Sequence, residues 1–214
     1  LLLNSSSGIN IYVSPMDLPA FSDIDYDGDI DILSFDISGG FVHYYKNMSV
    51  ENYGDSNHLE YENVNNCWGN FYEGLNTYVL NCNNCLCPPI NISSTNKSKH
   101  AGSSLMAIDV DGDNDKDLIL GDVSFSNVVA LYNDNTGVNA NTSFISQDTV
   151  FPSNTVPVDL YLYPGAYYED IDLDGINDRF CINYHAIREE PFIFNVYNRI
   201  GELLFSTNNI HDLD

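Results

Sequence analysis

Short apolar runs separated by clusters of Asn, Ser, Gly and Asp recur along the whole chain, and nowhere do apolar residues return at a sustained helical spacing. Tyr, Phe, Val and Ile are plentiful in these runs, the residue types that suit a pleated, half-buried surface. Alternation at Ile9, Ile11, Val13 and at Phe41, His43, Tyr45 predicts half-buried strands, with polar or exposed residues between them. The pattern predicts an all-β fold of many short strands. No helix longer than about two turns is expected outside one insertion.

A longer period overlies this alternation. An apolar lead-in (Pro19 to Ser22, Leu105 to Ile108, Ala166 to Glu169) runs into an acidic loop, then into an apolar strand (Ile32-Leu33, Leu118 to Leu120, Phe180 to Ile182). A second strand follows and ends in an aromatic residue and an Asn: Tyr45-Lys46-Asn47, Tyr132-Asn133 and Tyr197-Asn198. From the last loop Asp to that Asn the step is 16 residues in the first two copies and 20 in the third. Loop starts are 86 and then 61 residues apart, so an insertion is expected between Val50 and His100, where no such loop occurs. The expected organisation is a blade tail over 1–15, repeat one over 16–50, a Cys-rich insertion over 51–100, repeat two over 101–160 and repeat three over 161–214. Leu1 to Leu3 with Gly8 to Ser14 match the strand pair that follows a loop, and Ile210 to Asp214 match the approach to another unit. Both ends are therefore expected to fall inside the repeat array.

The loops share one design, D-x-D-x-D-[GN]-x-x-D. They comprise Asp23, Asp25, Asp27, Asp29 and Asp31; then Asp109, Asp111, Asp113, Asp115 and Asp117; then Asp170, Asp172, Asp174, Ile176 and Asp178. Carboxylates at positions 1, 3 and 5 of a tight loop converge on one point, position 7 offers its carbonyl and position 9 closes the shell of a hard cation. Gly28, Asn114 and Gly175 stand at position 6, where the chain must turn with positive φ. A solvated acidic turn is the plain alternative. It does not account for four or five mutually repelling carboxylates appearing at one spacing three times. The expected cofactor is Ca2+, at about three sites. An EF-hand would need a Glu at position 12 and flanking helices, but Ser34, Leu120 and Cys181 stand there and the sequence beyond is β-prone.

This motif, followed by a short apolar strand and repeated at about sixty residues, resembles the FG-GAP or VCBS repeat of calcium-binding β-propellers. It is similar to the blades of integrin α-subunit heads and of secreted bacterial VCBS-repeat proteins. The resemblance implies four-stranded blades belonging to part of a seven-bladed propeller, with the loop residues just named as ligands. It also implies a secreted, extracellular or cell-surface location, and further blades supplied by the same chain or by neighbouring subunits.

Charge narrows the function classes. With 31 acidic against 7 basic residues the formal charge is -24, which repels phosphate backbones and anionic lipid, so neither nucleic acid nor a membrane is an expected partner. No apolar run approaches the roughly 20 residues of a bilayer span, and a secretory leader is expected outside these residues. Cys67, Cys82, Cys85 and Cys87 fall in the insertion. Disulfides are expected there, Cys67 joined to one of the other three and the remaining two paired, with a four-thiolate zinc site as the rival reading. Cys181 reads as a buried free thiol, and sequons at Asn4, Asn47, Asn91, Asn96 and Asn141 are ordinary for an Asn-rich chain. His43, His58, His100, His185 and His211 lack ligand spacing, and no nucleophile and base pair stands out, so no catalytic residue is expected. The function expected is a binding or adhesion module for an extracellular protein or glycan, with Tyr53, Tyr61, Trp68, Tyr72 and Tyr78 as candidate contacts. A propeller of a polysaccharide-degrading enzyme and a structural part of a surface assembly or filament are the alternatives.

Overall fold

The computed structural model describes residues 8, 10–37, 39–81, 102–133, 143–160, 162–169, 178–183, 194–197 and 202–207. Over these residues the chain is all-β, as the alternation predicts. The first sheet takes β1 (Ala20–Ser22), β2 (Asp31–Phe35), β3 (Val42–Asn47) and β4 (Tyr61–Asn65) in sequence order, each antiparallel to the next. Between β3 and β4 lies a short helix, α1 (Ser49–Tyr53), closed by Gly54 at φ 75°. A small ribbon of β5 (Tyr72–Glu73) and β6 (Tyr78–Val79) follows. The second sheet runs β7 (Ser103–Ile108), β8 (Asp117–Asp122), β9 (Val128–Tyr132) and β10 (Ser146–Phe151). The third runs β11 (Pro164–Glu169), β12 (Asp178–Asn183), β13 (Phe194–Tyr197) and β14 (Leu203–Thr207). All three are up-and-down meanders, and none closes on itself.

A strand begins at the last Asp of every acidic loop: β2 at Asp31, β8 at Asp117 and β12 at Asp178. The fourth strand of the first sheet, β4, comes from the stretch assigned to the insertion. Two details differ from the expected alternation. In β3 it is Val42 and Tyr44 that face the core while His43 and Tyr45 are half-buried, the opposite parity. Phe41 is buried from the turn before the strand, its ring 5.3 Å from that of Tyr72, so its burial reports the turn and not the strand face. Residues 11–14 belong to no strand.

Side chains alternate across a strand, so a strand buried on both faces reads as a near-continuous apolar run rather than an alternation. β7 and β8 are buried at all twelve of their residues. Leu105, Ala107, Leu118, Leu120, Val129 and Leu131 point into a core shared with Leu33, Phe35, Val42 and Tyr44 of the first sheet. Met106, Ile108, Ile119, Val128 and Ala130 point the other way, to Ala166 and Tyr197 of the third. The second sheet is thus sandwiched between its neighbours. Trp68 and Phe71 complete the first core around Phe144, with ring centroids 5.3 and 5.4 Å apart. Trp68 and Tyr61 are therefore buried and not available as surface contacts, whereas Tyr53 is exposed.

The first strands of the sheets meet along one line, β7 touching both β1 and β11. Leu18 forms a parallel bridge with Ser104, its N–H donating to the Ser103 carbonyl at 3.0 Å and its carbonyl accepting from Leu105 at 2.9 Å. The Ser104 hydroxyl donates to the Pro164 carbonyl at 2.8 Å. Beside it a Cβ on Gly121 would stand 1.9 Å from that same carbonyl oxygen, so only glycine lets β8 approach the third sheet this closely. Cys67 is disulfide-bonded, but its partner, the Cys82, Cys85 and Cys87 cluster and the Cys181 side chain lie outside the described residues.

Gly121→Ala is expected to lower unfolding free energy by at least about 1–3 kcal/mol, the usual cost of overpacking. Urea denaturation measures this, and an unchanged midpoint would mean that the second and third sheets are not joined through this contact.

Candidate metal centres

Each described loop folds around its own first carboxylate. Asp23 accepts the N–H of Asp27 and that of Gly28, both at 3.1 Å, and Asp27 accepts that of Asp29 at 3.1 Å. In the second loop Asp109 accepts from Asp113 at 3.2 Å and Asn114 at 3.1 Å, and Asp113 from Asp115 at 3.0 Å. Position 6 has the expected positive φ, 97° at Gly28 and 71° at Asn114. Position 4 has it as well, 61° at Tyr26 and 86° at Gly112, a second left-handed turn that the spacing does not announce. For Tyr26 this conformation costs on the order of 1–3 kcal/mol and is held by the surrounding bonds.

Position 9 plays a different part. Asp31 and Asp117 are fully buried at the start of their strands. Asp31 Oδ2 accepts the N–H of Ile24 at 2.9 Å and the hydroxyl of Tyr44 at 3.1 Å, while Oδ1 accepts the N–H of Asn47 at 2.8 Å. Asp117 accepts the N–H of Val110 at 2.8 Å and that of Asn133 at 2.9 Å in the same way. The aromatic-Asn signature is now explained. The backbone of the Asn ties the next strand to the clamp, and its side chain donates to the His58 carbonyl in one copy and the Lys116 carbonyl in the other, each at 3.2 Å. Asn47 thus serves the fold although it begins a sequon. Burial pushes Asp31 up to about 7 and Asp117 up to about 6, with the N–H bonds pulling the other way.

One carboxylate oxygen each from Asp23, Asp25 and Asp27 lie within 4.8 Å of one another, and so do those of Asp109, Asp111 and Asp117. A third group joins Asp27 and Asp29 to Glu51 of α1, a residue outside the motif. Asp29 is buried, with Oδ2 accepting the Val50 N–H at 3.1 Å. Its Oδ1 and the Oδ1 of Asp25 are shielded from water and have no hydrogen-bond donor. Burial raises the pKa of Asp29, and burial followed by the charge of Asp113 raises that of Asp111. For Asp27, burial is outweighed by the Asp29 N–H and by Lys46, and its pKa falls. An all-oxygen cluster with orphaned, buried carboxylate oxygens fits a hard cation, which would supply the missing charge. Asp170 to Ile176 of the third loop lie outside the described residues, and Asp178 is described only as the backbone start of β12.

The two described loops are neighbours. Lys116 Nζ stands 4.3 Å from the centroid of the Tyr26 ring, and burial together with Asp109, Asp115, Asp113 and Asp23 pushes the Tyr26 phenol up to about 12. Both loops border a cleft of about 740 Å³ lined by β1, β7 and β11. No protein-family model, curated protein or solved structure matches this chain.

Asp31→Ala would leave three buried donors unpaired, at about 1–3 kcal/mol each. It is expected to destabilise the chain even in chelator, whereas Asp111→Ala changes mainly the response to metal. Equal chelator melting temperatures for the two variants would remove the clamp role. A pH scan tests the same carboxylates. Asp31 and Asp117 have folded values above the ordinary 3.8, so their contribution is fully present below about 3.8 and is lost as pH rises through about 6 and 7. The metal-free chain is therefore expected to melt progressively lower over that window, and a melting temperature that climbs through it would contradict the assignment.

Proposed function

We propose that this chain is a calcium-binding member of the FG-GAP/VCBS β-propeller type that works outside the cell as a binding or adhesion module for a protein or glycan. The observation that carries the calcium reading is the cluster at the first loop, where Asp25 and Asp29 each keep a buried carboxylate oxygen without a donor beside further carboxylates. Six to eight oxygens at 2.3–2.6 Å are what calcium takes, and a smaller octahedral ion fits such a carboxylate-rich loop less well.

Three four-stranded meanders with their first strands along one line support the propeller part of the reading, because blades pack face to face around an axis lined by their innermost strands. The cleft bordered by β1, β7 and β11 would then belong to the axial channel. Short edges and stacked faces make such a unit a rigid support for its connecting loops, which favours display of a binding surface. The low number of basic residues, 7 in the chain, favours ligands that are not anionic polymers.

Binding to the folded state alone stabilises by about 2.7 kcal/mol per site at a hundredfold excess over Kd. The melting temperature is expected to fall in chelator, to recover with calcium more than with magnesium, and to lose part of that recovery in Asp111→Ala. A melting temperature indifferent to chelator and to both ions would end the calcium reading. Glycan-array and cell-surface binding in calcium test the adhesion part, for which turnover of a polysaccharide would be the contrary result.

A further inference from the structure

Lys46 brings a positive charge to a place where the loop motif asks for none. It is the fifth residue of β3, and the shared register places Tyr132 at the same position of the second repeat. Its side chain is only 19% exposed. The ammonium pairs with Asp25 Oδ2 and Glu51 Oε1 and lies 3.3 Å from Asp27 Oδ2. Asp25 and Asp27 are loop positions 3 and 5, and Glu51 shares a cluster with Asp27 and Asp29. The oxygens that would surround an ion at the first loop therefore already hold one. The neutralisation is partial, since Oδ1 of Asp29, a residue 1% exposed, still has no donor. The second loop is arranged otherwise. At the position matching Lys46 the second repeat carries the uncharged Tyr132, and the nearby Lys116 ammonium lies over the Tyr26 ring.

We propose that Lys46 is a built-in competitor at the first loop: its ammonium holds Asp25, Asp27 and Glu51 while the ion is absent, and a divalent cation enters only as that ammonium swings out. The inference rests on the loops being cation sites. A dication and an ammonium cannot share these carboxylates, because each needs the same oxygens and the two repel at contact distance. Lysine suits such an exchange, being a compact charge on a flexible four-carbon stem, with no rigid fork to lock it in place. Two consequences follow physically. The first loop binds calcium more weakly than it would without the lysine, and it stays closed when empty because its own lysine bridges the loop, β3 and α1.

Calcium is titrated calorimetrically into the full chain, its Lys46→Met variant and its Lys46→Arg variant, and lysine acetylation of the unaltered chain is mapped by mass spectrometry in calcium and in chelator. Removing the competitor is expected to tighten one class of site about tenfold, the scale of a partly shielded ion pair, and to leave the other unmoved. Lys46→Arg keeps the cation and stays at or below wild-type affinity. In the unaltered chain Lys46 is acetylated several-fold faster in calcium than in chelator. Wild-type affinities in Lys46→Met together with calcium-independent acetylation of Lys46 would overturn the competitor while sparing the cation sites, and absence of calcium binding in the wild type and both variants would remove both. Should Lys46→Met fail to fold, the acetylation rates decide alone, and equal rates in the two conditions overturn the proposal.

Discussion

The architecture hangs on a buried carboxylate at the first residue of a central strand. Asp31 and Asp117 each bind the backbone of the loop that precedes them and the backbone of the strand that follows, so one side chain holds three segments in register. Burying a carboxylate is costly unless donors surround it, and here the donors are backbone N–H groups that the loop and strand end would otherwise leave unpaired. Each side of the arrangement therefore solves the other's problem. The remaining strain is electrostatic, because burial lifts both carboxyls well above their ordinary value and further aspartates crowd the same few ångströms. A cation beside the clamp would favour its ionised form, so metal binding and loop closure would act on one group.

Stacking converts these local clamps into a shared surface. Because β7 to β9 of the second sheet are buried on both faces, its neighbours lie flat against them, and the close contact of Gly121 with Pro164 sets how near the third sheet comes. Sheets of like topology stacked in this way place their first loops at the same end. The first and second loops meet there, with Lys116 over the Tyr26 ring between them. Tyr26 takes a left-handed backbone conformation within the first loop while its ring serves the second. The pair thus puts the two loops in direct contact.

Much of this is legible in the chain because the acidic motif does two jobs at once. It marks a carboxylate cluster, and its last Asp, the clamp at Asp31 and Asp117, opens a strand, so the strand starts at Asp31, Asp117 and Asp178 can be read directly. The outer strands are harder to see, since β4 and β10 are largely exposed and carry little alternation to betray them. The parity of β3 misleads for a related reason: Phe41 is buried by the turn and Tyr45 is half-covered by its neighbours, which imitates a strand face. Trp68 gives no sign in sequence that it fills the first core, because the Phe144 it packs against lies far along the chain, in the second repeat. Glu51 and Lys46 are invisible to a motif search, as they enter the first loop from α1 and β3.

That last difference bears on how so acidic a chain stays folded. With 31 acidic and 7 basic side chains, neutralisation at the loops must come mostly from the surrounding solution. The first loop departs from this by supplying Lys46 from β3, while the matching position of the second repeat is a tyrosine. Two loops with one backbone geometry can thus differ in what they require of the medium. The difference is written in a strand residue that no loop signature contains, because the charge a loop experiences is set by every element packed against it.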